Sequence, residues 1–412
     1  MKYKDETMII VALIIFIFTY ALISIRRMRG ARLTRPTSAL LGAALMIIFG
    51  IVSINQALES IDISILFLLI GMMIIVSVFE ISGFFNWAVT KLVSFSKTSG
   101  TLLIIISVST AFLSALFLND AIVLFFTPII LKISKETDIN PEPFLLSEIF
   151  SANIGSVATE IGNPQNAYIA IESHIPFFYY SSLLLPISIA SLIISISIIY
   201  LFYKKEMRIK ITPIKKKQEI KHPNLLYAGV ITMLAILISF FFVQDIAFVP
   251  FIGASILLFI TPLIANEDPR KIIKEVDWGI ILFFIGLFIV LEGVNVSGIL
   301  SAMMNLFATY GMPLHNPVWY VTFVTVLSNL VSNVPAVMLL SPVTHQTSFW
   351  LALAMSSTLA GNATIIGAAA NIIVLEISSA YGIEINWLRF SRVGFPVTLI
   401  TIILGTLILF FL

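Results

Sequence analysis

Polar residues that interrupt apolar segments are the part of this sequence that could carry chemistry. Asn119 and Asp120 interrupt one apolar region, and residues 159–166 interrupt the next. Similar polar residues recur in the second half at Asn333 and in residues 364–371. Backbone N–H groups at restarted helices bind anions, and amide, hydroxyl and carboxylate oxygens bind hard cations. These breaks therefore predict a binding site for a small ionic solute.

Lipid is the solvent that this composition fits. Of the 412 residues, 59% are hydrophobic and 11% are charged, against about 25% charged residues in soluble proteins. The mean hydropathy is +1.04, so we expect an all-α polytopic membrane protein. The net charge of +2 excludes a nucleic-acid-binding protein, and the absence of Cys excludes thiolate metal sites and Cys nucleophiles.

Apolar runs of about 20 residues predict membrane spans, and polar breaks divide four further apolar regions. In the first half, residues 1–203, we expect spans at 8–25, 37–54, 63–83 and 177–202, a re-entrant hairpin at 101–133 and a broken span at 143–173. In the second half, residues 223–412, we expect spans at 224–243, 248–265, 278–298 and 394–412, a hairpin at 317–345 and a broken span at 349–380. The first span has no small-residue cleavage site, so we expect it to be retained.

Basic residues set the predicted orientation. Residues 26–35 and the linker at 204–222 are rich in Arg and Lys, which favours the cytoplasmic side. An even number of spans must then separate them, which requires that 101–133 enters and leaves on one face. Each half then has five spans and one hairpin. Because five is odd, the second half is inverted, and both termini lie outside the plasma membrane.

Three blocks of sequence recur in the same order in both halves. Asp62 through Gly83 recurs at an offset of 215, the block around Asn119 at 214, and the block around Asn166 at 205. An inverted-topology repeat is the architecture of many secondary transporters. Broken helices in a membrane occur where they line a protein cavity. We therefore expect both hairpin tips and both broken spans to meet near the midplane.

Helices that restart at the midplane would point their N–H groups at a shared solute. Asn163 before Pro164 predicts an N-cap, and Asn119 and Asn333 are candidate caps of the second hairpin arms. Such N-termini favour an anion, whereas carbonyl ends and side-chain oxygens suit Na⁺. The candidate substrate ligands are Asn119, Asn333, Thr159, Thr364, Asn163, Asn166 and Asn371, and capping or backbone bonding is their structural alternative. The candidate hinges are Gly162, Gly367, Pro164 and Pro335, and the expected Na⁺ site lies near Asn119, Asp120, Thr159, Asn333 and Thr364.

Two carboxylates stand in the polar breaks of the first half alone. The repeat counterparts of Asp120 and Glu160 are Val334 and Ile365. An intramembrane carboxylate is costly and is a functional candidate, so both are predicted to couple transport to H⁺ or Na⁺. The alternatives are a helix first-turn acid for Asp120 and an ion pair for Glu160. Four other carboxylates carry weaker signals: Glu80, Glu148, Glu292 and Glu376.

Several of these segments resemble the ion transporter superfamily, in particular its arsenite-pump and sodium–proton antiporter branch, which is related to citrate and dicarboxylate–sodium transporters. They are residues 117–121 (FLNDA), 151–155 (SANIG), 159–166 (TEIGNPQN) and 332–335 (SNVP). The resemblance covers nearly the whole chain and implies a homodimer in which hairpins and broken spans move together as an elevator. The Ser-Asn-Thr signature of the dicarboxylate–sodium relatives is incomplete here, which argues against sodium-coupled dicarboxylate uptake.

These observations predict an ion-coupled secondary transporter of a small anion or oxyanion-type solute. Arsenite or antimonite efflux and Na⁺/H⁺ antiport are the specific alternatives. Arsenite is a neutral trihydroxide at pH 7, so hydrogen bonds can hold it without Cys. No nucleotide-binding loop is visible, so an ATP-driven arsenite pump would need a separate ATPase subunit. A channel is the alternative of another class, and an enzyme is disfavoured because the polar breaks contain neither His nor Cys.

Overall fold

The computed structural model describes residues 2–24, 27–28, 31–32, 34–211, 219–243, 246–302, 309 and 314–411. Apart from a pair of two-residue strands, β1 (Arg27–Met28) and β2 (Ala31–Arg32), its regular elements are helical. The first-half helices are α1 (Lys2–Ser24), α2 (Arg35–Ile48), α3 (Ile54–Glu59), α4 (Ile63–Ile81), α5 (Phe84–Val93), α6 (Ser99–Leu116), α7 (Asn119–Thr137), α8 (Glu142–Ser156), α9 (Pro164–Ser173) and α10 (Phe177–Phe202). The second-half helices are α11 (Pro223–Ser239), α12 (Phe248–Ala265), α13 (Pro269–Glu275), α14 (Trp278–Val296), α15 (Pro317–Val331), α16 (Asn333–Leu340), α17 (Thr347–Ala360), α18 (Ala369–Ala380) and α19 (Trp387–Phe411).

The all-α polytopic membrane architecture is confirmed. Within the described residues, six helices are long and apolar enough to cross a bilayer, namely α4, α6, α10, α12, α14 and α19. Predicted spans 177–202 and 248–265 coincide with α10 and α12. Helix α6 is by itself long enough to cross the bilayer. Re-entry of the segment 101–133 therefore stays a prediction.

Several predicted spans are wrong in their extent. The helix of span 394–412 begins at Trp387, and the helix of span 224–243 ends at Ser239. The segment 37–54 ends as a helix at Ile48, because Gly50 turns the chain with a φ of 69°. Ser53 and Gln56 then form a capping box that starts α3, with the Gln56 N–H 3.3 Å from the Ser53 hydroxyl oxygen. The apolar run therefore contains a span and a short second helix.

The two predicted halves are interleaved. Helix α2 packs on α14, and α12 packs on α4, so each half supplies the partner of the other half's third span. A Cβ added to Gly71 of α4 would lie 2.5 Å from the Phe251 backbone nitrogen, and one added to Gly286 of α14 would lie 2.6 Å from the Ala39 backbone carbon. Glycine thus permits the same close helix approach at both matching positions.

The polar breaks lie within a second set of crossed contacts. Helix α7 of the first hairpin packs on α18, α9 packs on α16 of the second hairpin, and α10 packs on α19. Helix α8 is buried along nearly its whole length between these elements. The division into repeat units at 1–203 and 223–412 stays a prediction. Helices of one segment pack directly on helices of the other.

Both ends of the linker are tied to the helical body. Ser99 donates a backbone hydrogen bond to Ile209 (2.9 Å) and Ile211 donates one to Lys97 (3.0 Å), at the start of α6. At the other end, the Lys221 N–H donates to the Ser82 carbonyl (2.9 Å), just after α4. The linker residues 212–218, parts of the Arg-rich run at 26–35, and residue 412 lie outside the described residues, and the predicted membrane sides stay predictions.

Candidate binding site at the broken helices

Both predicted hairpins break at their polar residues. Helix α7 begins at Asn119 after Leu118, and α16 begins at Asn333 after Ser332, whose φ is 78°. The predicted N-caps at Asn119 and Asn333 are therefore wrong, because each Asn is already the first helical residue. Asn119 Oδ1 still accepts from the Asp120 N–H at 3.0 Å, and the amide groups of both residues also make hydrogen bonds to other elements of the fold.

Each hairpin tip is joined to the broken span of its own half. The Asn119 backbone N–H donates to the Gly162 carbonyl at 2.9 Å. The Asn333 side-chain nitrogen donates to the Gly367 carbonyl at 2.7 Å, and its oxygen accepts from Gln165 at 3.3 Å. The two predicted hinge glycines therefore mark where the hairpin tips contact the broken spans.

The predicted cap at Asn163 is confirmed. Its Oδ1 accepts a hydrogen bond from the Asn166 N–H at 2.8 Å, and Pro164 is the first residue of α9. Proline suits this position because a first-turn N–H has no intrahelical partner. The first half thus caps its restarted helix with its own side chain.

The matching helix of the second half lacks this cap. Residue 368, which aligns with Asn163, is an alanine and has no side chain that can accept a hydrogen bond. The Asp120 carboxylate of the first hairpin instead lies near the Ala370 N–H, in the first turn of α18. Asp120 is half-buried, and the charged side chains near it are those of Arg35, at the start of α2, and Asp277, the N-cap of α14. A carboxylate of the first hairpin therefore stabilises the N-terminus of α18.

A chain of buried amides joins the two halves. Asn119 Nδ2 donates to Asn153 Oδ1 at 3.3 Å, and Asn153 Nδ2 lies 2.9 Å from Asn362 Oδ1 and 3.0 Å from Asn371 Oδ1. These four side chains, which we call the amide network, are at most 4% exposed. Asn362 Nδ2 has no hydrogen-bond partner within the described residues, so the network retains a free buried donor.

Thr358 makes the reciprocal crossing from α17 to the first half. Its hydroxyl oxygen lies 3.2 Å from Gln165 Nε2, 3.4 Å from Asn163 Nδ2 and 3.4 Å from Asn166 Oδ1. Thr358 aligns with Asn153 at the repeat offset of 205. Each half therefore has one polar side chain, Asn153 or Thr358, that contacts the broken span of the other half.

Asn166 and Asn371 make the same hydrogen bonds in their own halves. Asn166 Nδ2 donates to the Ser156 and Thr159 carbonyls at 2.9 and 3.2 Å. Asn371 Nδ2 donates to the carbonyls of Gly361 and Thr364 at 2.7 and 2.9 Å. Both amides hold the turn of a broken span closed, so their nitrogens are engaged by protein rather than free for a solute.

Thr159 and Thr364 are also engaged by the hairpins. The Thr159 hydroxyl donates to the Ala115 carbonyl, and the Thr364 hydroxyl donates to Asn329 Oδ1 at 2.8 Å. Ala115 and Asn329 align at the repeat offset of 214. Each of these threonines thus fixes the first arm of a hairpin against the break.

Glu160 lies apart from Asp120. Its side chain is fully buried, and both carboxylate oxygens lack a hydrogen-bond partner in the part of the chain that the structure describes. It lies near Tyr180 of α10, whose hydroxyl is also unpartnered there. The two predicted coupling carboxylates therefore have different surroundings, one at a helix N-terminus and one against α10.

An acidic cavity opens at the far end of α9. It has a volume of about 560 Å³ and is bounded by the start of α4 and the end of α14. Its carboxylates are those of Glu59, Asp62, Glu172 and Glu292. Among the described residues, no cluster of three or more His, Cys, Asp or Glu side chains has metal-binding geometry. The expected Na⁺ site near Asn119, Asp120, Thr159, Asn333 and Thr364 stays a prediction.

Several residues of the site were not predicted. Asn153, Asn362, Thr358 and Gln165 carry the contacts between the two halves, yet none was a candidate ligand. Asn153 and Thr358 align with each other at the repeat offset. Extending the repeat alignment ten residues before the breaks would have identified this pair of polar positions.

Comparison with known proteins agrees with this architecture. The citrate transporter family matches residues 13–349. A silicon efflux transporter of Oryza sativa subsp. japonica is 30% identical over 90% of this chain and 91% of its own length. The 46 kDa membrane protein of Mycobacterium leprae (strain TN) is 29% identical over 97% of each chain. A Dictyostelium discoideum protein that carries the transporter name arsB is 24% identical over 90% of this chain and 86% of its own. The predicted resemblance to the ion transporter superfamily is confirmed, and the chain is a membrane transporter that belongs to the citrate transporter family.

Proposed function

We propose that this protein is an ion-coupled secondary transporter of a small anion or oxyanion-type solute. The observation that supports it most directly is the amide network, in which Asn153 joins the first hairpin tip to the broken span of the second half. A buried polar site shared by two matching halves, beside the restarted helices α9 and α18, suits a solute with several oxygen atoms. Asp120 and Glu160 are the proposed carriers of H⁺ or Na⁺ coupling.

Neutral metalloid hydroxides are the alternative to an anion, and one feature of the site favours them. The network offers amide donors and acceptors, and no Lys or Arg of the described residues is hydrogen-bonded to it. An anion would also approach the carboxylate of Asp120, which opposes its charge. A neutral trihydroxide such as arsenite or antimonite avoids that repulsion and can use the unpartnered Asn362 amide. The names of the rice and Dictyostelium relatives agree with this class.

The proposed movement is an elevator in the plasma membrane of a homodimer. The hairpins and broken spans form one contact unit through α7–α18 and α9–α16, whereas α2–α14 and α4–α12 form the other crossed pairs. The first unit would carry the solute, and the second would be the scaffold. The proposed orientation places both termini outside and the linker in the cytoplasm. For an arsenite pump, an ATPase partner would be a separate subunit.

Flux in proteoliposomes tests the function. Arsenite, antimonite, silicic acid, citrate and Na⁺ would be offered under imposed pH or Na⁺ gradients, with empty vesicles as the control. We expect flux of one oxygen-rich solute that follows an ion gradient, and loss of that coupling in Asp120→Asn and Glu160→Gln. Flux that ignores every imposed gradient would indicate a channel, and unchanged coupling in both variants would contradict the assigned carboxylate roles.

A further inference from the structure

Glu148 is a second kind of buried carboxylate, outside the amide network. It lies on α8 with no exposed surface, and its Oε2 has no partner within the described ranges. Its Oε1 lies 2.8 Å from the Thr127 hydroxyl of α7. A charge held by one neutral hydroxyl in an apolar interior is costly, and a proton on the carboxyl removes that cost.

Charged groups nearby do not offset this cost. Among the described residues, the Thr127 hydroxyl is hydrogen-bonded to Glu148 and no charged side chain is. The charged side chains on the helices that contact α8 are Asp120, Lys132, Lys135 and Glu136 on α7, Glu376 on α18, and Arg389 and Arg392 on α19; α6 and α17 carry none, and α10 contributes tyrosines only. Glu148 is thus isolated from the ion pairs of the protein.

The Thr127 hydroxyl can serve Glu148 in either protonation state. It lies 2.7 Å from the Val123 carbonyl as well as 2.8 Å from Glu148, and a hydroxyl carries one hydrogen and two lone pairs. When that hydrogen points to Val123, the short contact to Glu148 is attractive only if the carboxyl carries a proton. When the hydrogen turns to Glu148, it stabilises the carboxylate. A rotation of one hydroxyl therefore accommodates gain or loss of a proton.

Buried hydroxyls continue from Glu148 toward the amide network. Ser107 of α6 is hydrogen-bonded to Ser147 of α8, which identifies the α6 face that packs on α8. Thr110 follows Ser107 by three residues and Ser114 follows Thr110 by four, so both lie on the same face of α6. On α8, Ser151 lies one turn beyond Glu148, toward Asn153. Three of these hydroxyls are buried without a partner in the described structure: Thr110, Ser114 and Ser151.

We propose that Glu148 binds an exchangeable proton, in a region where buried hydroxyls extend toward the amide network. The proposal rests on ion-coupled transport but adds a site distinct from Asp120 and Glu160. A proton suits the geometry because a single oxygen, that of Thr127, is hydrogen-bonded to the carboxyl group. A hard metal cation would need several oxygen ligands.

Infrared spectroscopy of the protein in liposomes tests the proton directly and needs no solute. The carbonyl band of a protonated carboxyl group would be recorded over a pH series for the wild type, Glu148→Gln and Glu142→Gln. Glu142 is a matched control on the same helix, where it accepts from Tyr203 at 2.8 Å. We expect a band that disappears reversibly toward alkaline pH, is missing in Glu148→Gln and is kept in Glu142→Gln.

Three results would overturn the proposal. They are a band that Glu148→Gln leaves unchanged, a band that ignores pH, and a band that responds to Na⁺ at constant pH. Should Glu148→Gln fail to fold, Thr127→Val decides, because it keeps the carboxyl and removes the hydroxyl. We expect Thr127→Val to change the pH at which the band disappears, and an unchanged midpoint would refute the Thr127 contact.

A flux assay separates this proposal from the proposed function. At zero membrane potential, one coupled proton and a gradient of one pH unit support about tenfold accumulation of a neutral solute. With arsenite as the probe, Glu148→Gln is expected to abolish this accumulation and keep arsenite exchange at equal pH. If the wild type moves no arsenite, the arsenite proposal fails, while the infrared result still decides the role of Glu148. Accumulation at the wild-type level in Glu148→Gln would rule out a coupling role.

Discussion

The helices that restart at Pro164 and at Ala369 occupy matching positions in the two halves, yet their N-termini have different polar neighbours. The first is capped by Asn163, the residue directly before it. The second follows Ala368, which has no side-chain cap, and the Asp120 carboxylate on a hairpin of the other half lies near its first turn. The comparison shows that a duplicated backbone can keep its shape when a local hydrogen bond is lost and a charge from another element lies near the helix end. That negative charge lies beside the shared site.

The largest expected contrast lies at the two hinge glycines. A Cβ at residue 162 would lie 2.6 Å from the Ser156 carbonyl oxygen and 2.8 Å from that of Ser114, whereas a Cβ at residue 367 would lie 3.0 Å from Gly361. Overpacking costs about 1–3 kcal/mol, so we expect Gly162→Ala to lose about 3 kcal/mol of unfolding free energy and Gly367→Ala about 1 kcal/mol. Denaturation in detergent measures both, and equal losses would contradict the tighter first break.

Adding a local cap to α18 tests the main comparison. Asp120→Ala removes the negative charge near the N-terminus of α18 and is expected to cost about 1 kcal/mol of unfolding free energy as well as ion coupling. Adding Ala368→Asn copies the arrangement of the first half and should restore about 1 kcal/mol without restoring coupling. Denaturation and gradient-driven flux on the same samples separate the two effects. A double variant that regains coupling would show that Asp120 acts only by stabilising the helix end.

The hairpin tips differ in backbone strain, which predicts effects of opposite sign. Ser332 has a φ of 78° and a ψ of 161°, a conformation that costs a residue with a side chain about 1–3 kcal/mol. Leu118 has an ordinary φ of −59° and is 3% exposed. We expect Ser332→Gly to raise the melting temperature and Leu118→Gly to lower it. A stabilised Leu118→Gly would contradict this difference.

The smallest effect is expected at Glu267, in the loop between α12 and α13. A hydrogen bond from Lys271 (2.6 Å) lowers the pKa of Glu267. Because the pKa of this acid is lower in the folded state, its stabilisation is present above the unfolded pKa and is lost as pH falls through the folded value. Glu267→Gln should therefore change stability slightly at neutral pH and not at low pH. Melting curves in low and high salt check this, since exposed pairs are screened.

Features that depend on nearby residues were predictable from sequence. Two apolar runs, 177–202 and 248–265, are continuous helices with the predicted bounds, because no turn residue interrupts them strongly enough to end the helix. The Asn163–Pro164 pair capped α9 as expected, since both of its partners lie within one turn. Short helices such as α5 and α13 were not predicted, because they lack a long apolar run.

Features that depend on distant contacts were not predictable. Asn119 was expected to cap its own helix, but its amide binds Asn153, 34 residues away. Glu148 gave a weak signal because its Thr127 partner lies on another helix and its isolation from charge appears only in the packed fold. The position of Asp120 near the N-terminus of α18 likewise requires knowing which helix of the second half crosses the first hairpin.

The anchored linker sets a limit on how far the two contact units can separate. Ile211 is hydrogen-bonded just before the first hairpin, and Lys221 is hydrogen-bonded just after the end of α4. Ten residue steps therefore join the proposed carrier to the proposed scaffold. A fully extended chain of that length reaches about 35 Å. The linker therefore limits how far the two contact units can separate. Shortening it by a few residues would reduce this distance and leave the proposed solute-binding residues unchanged.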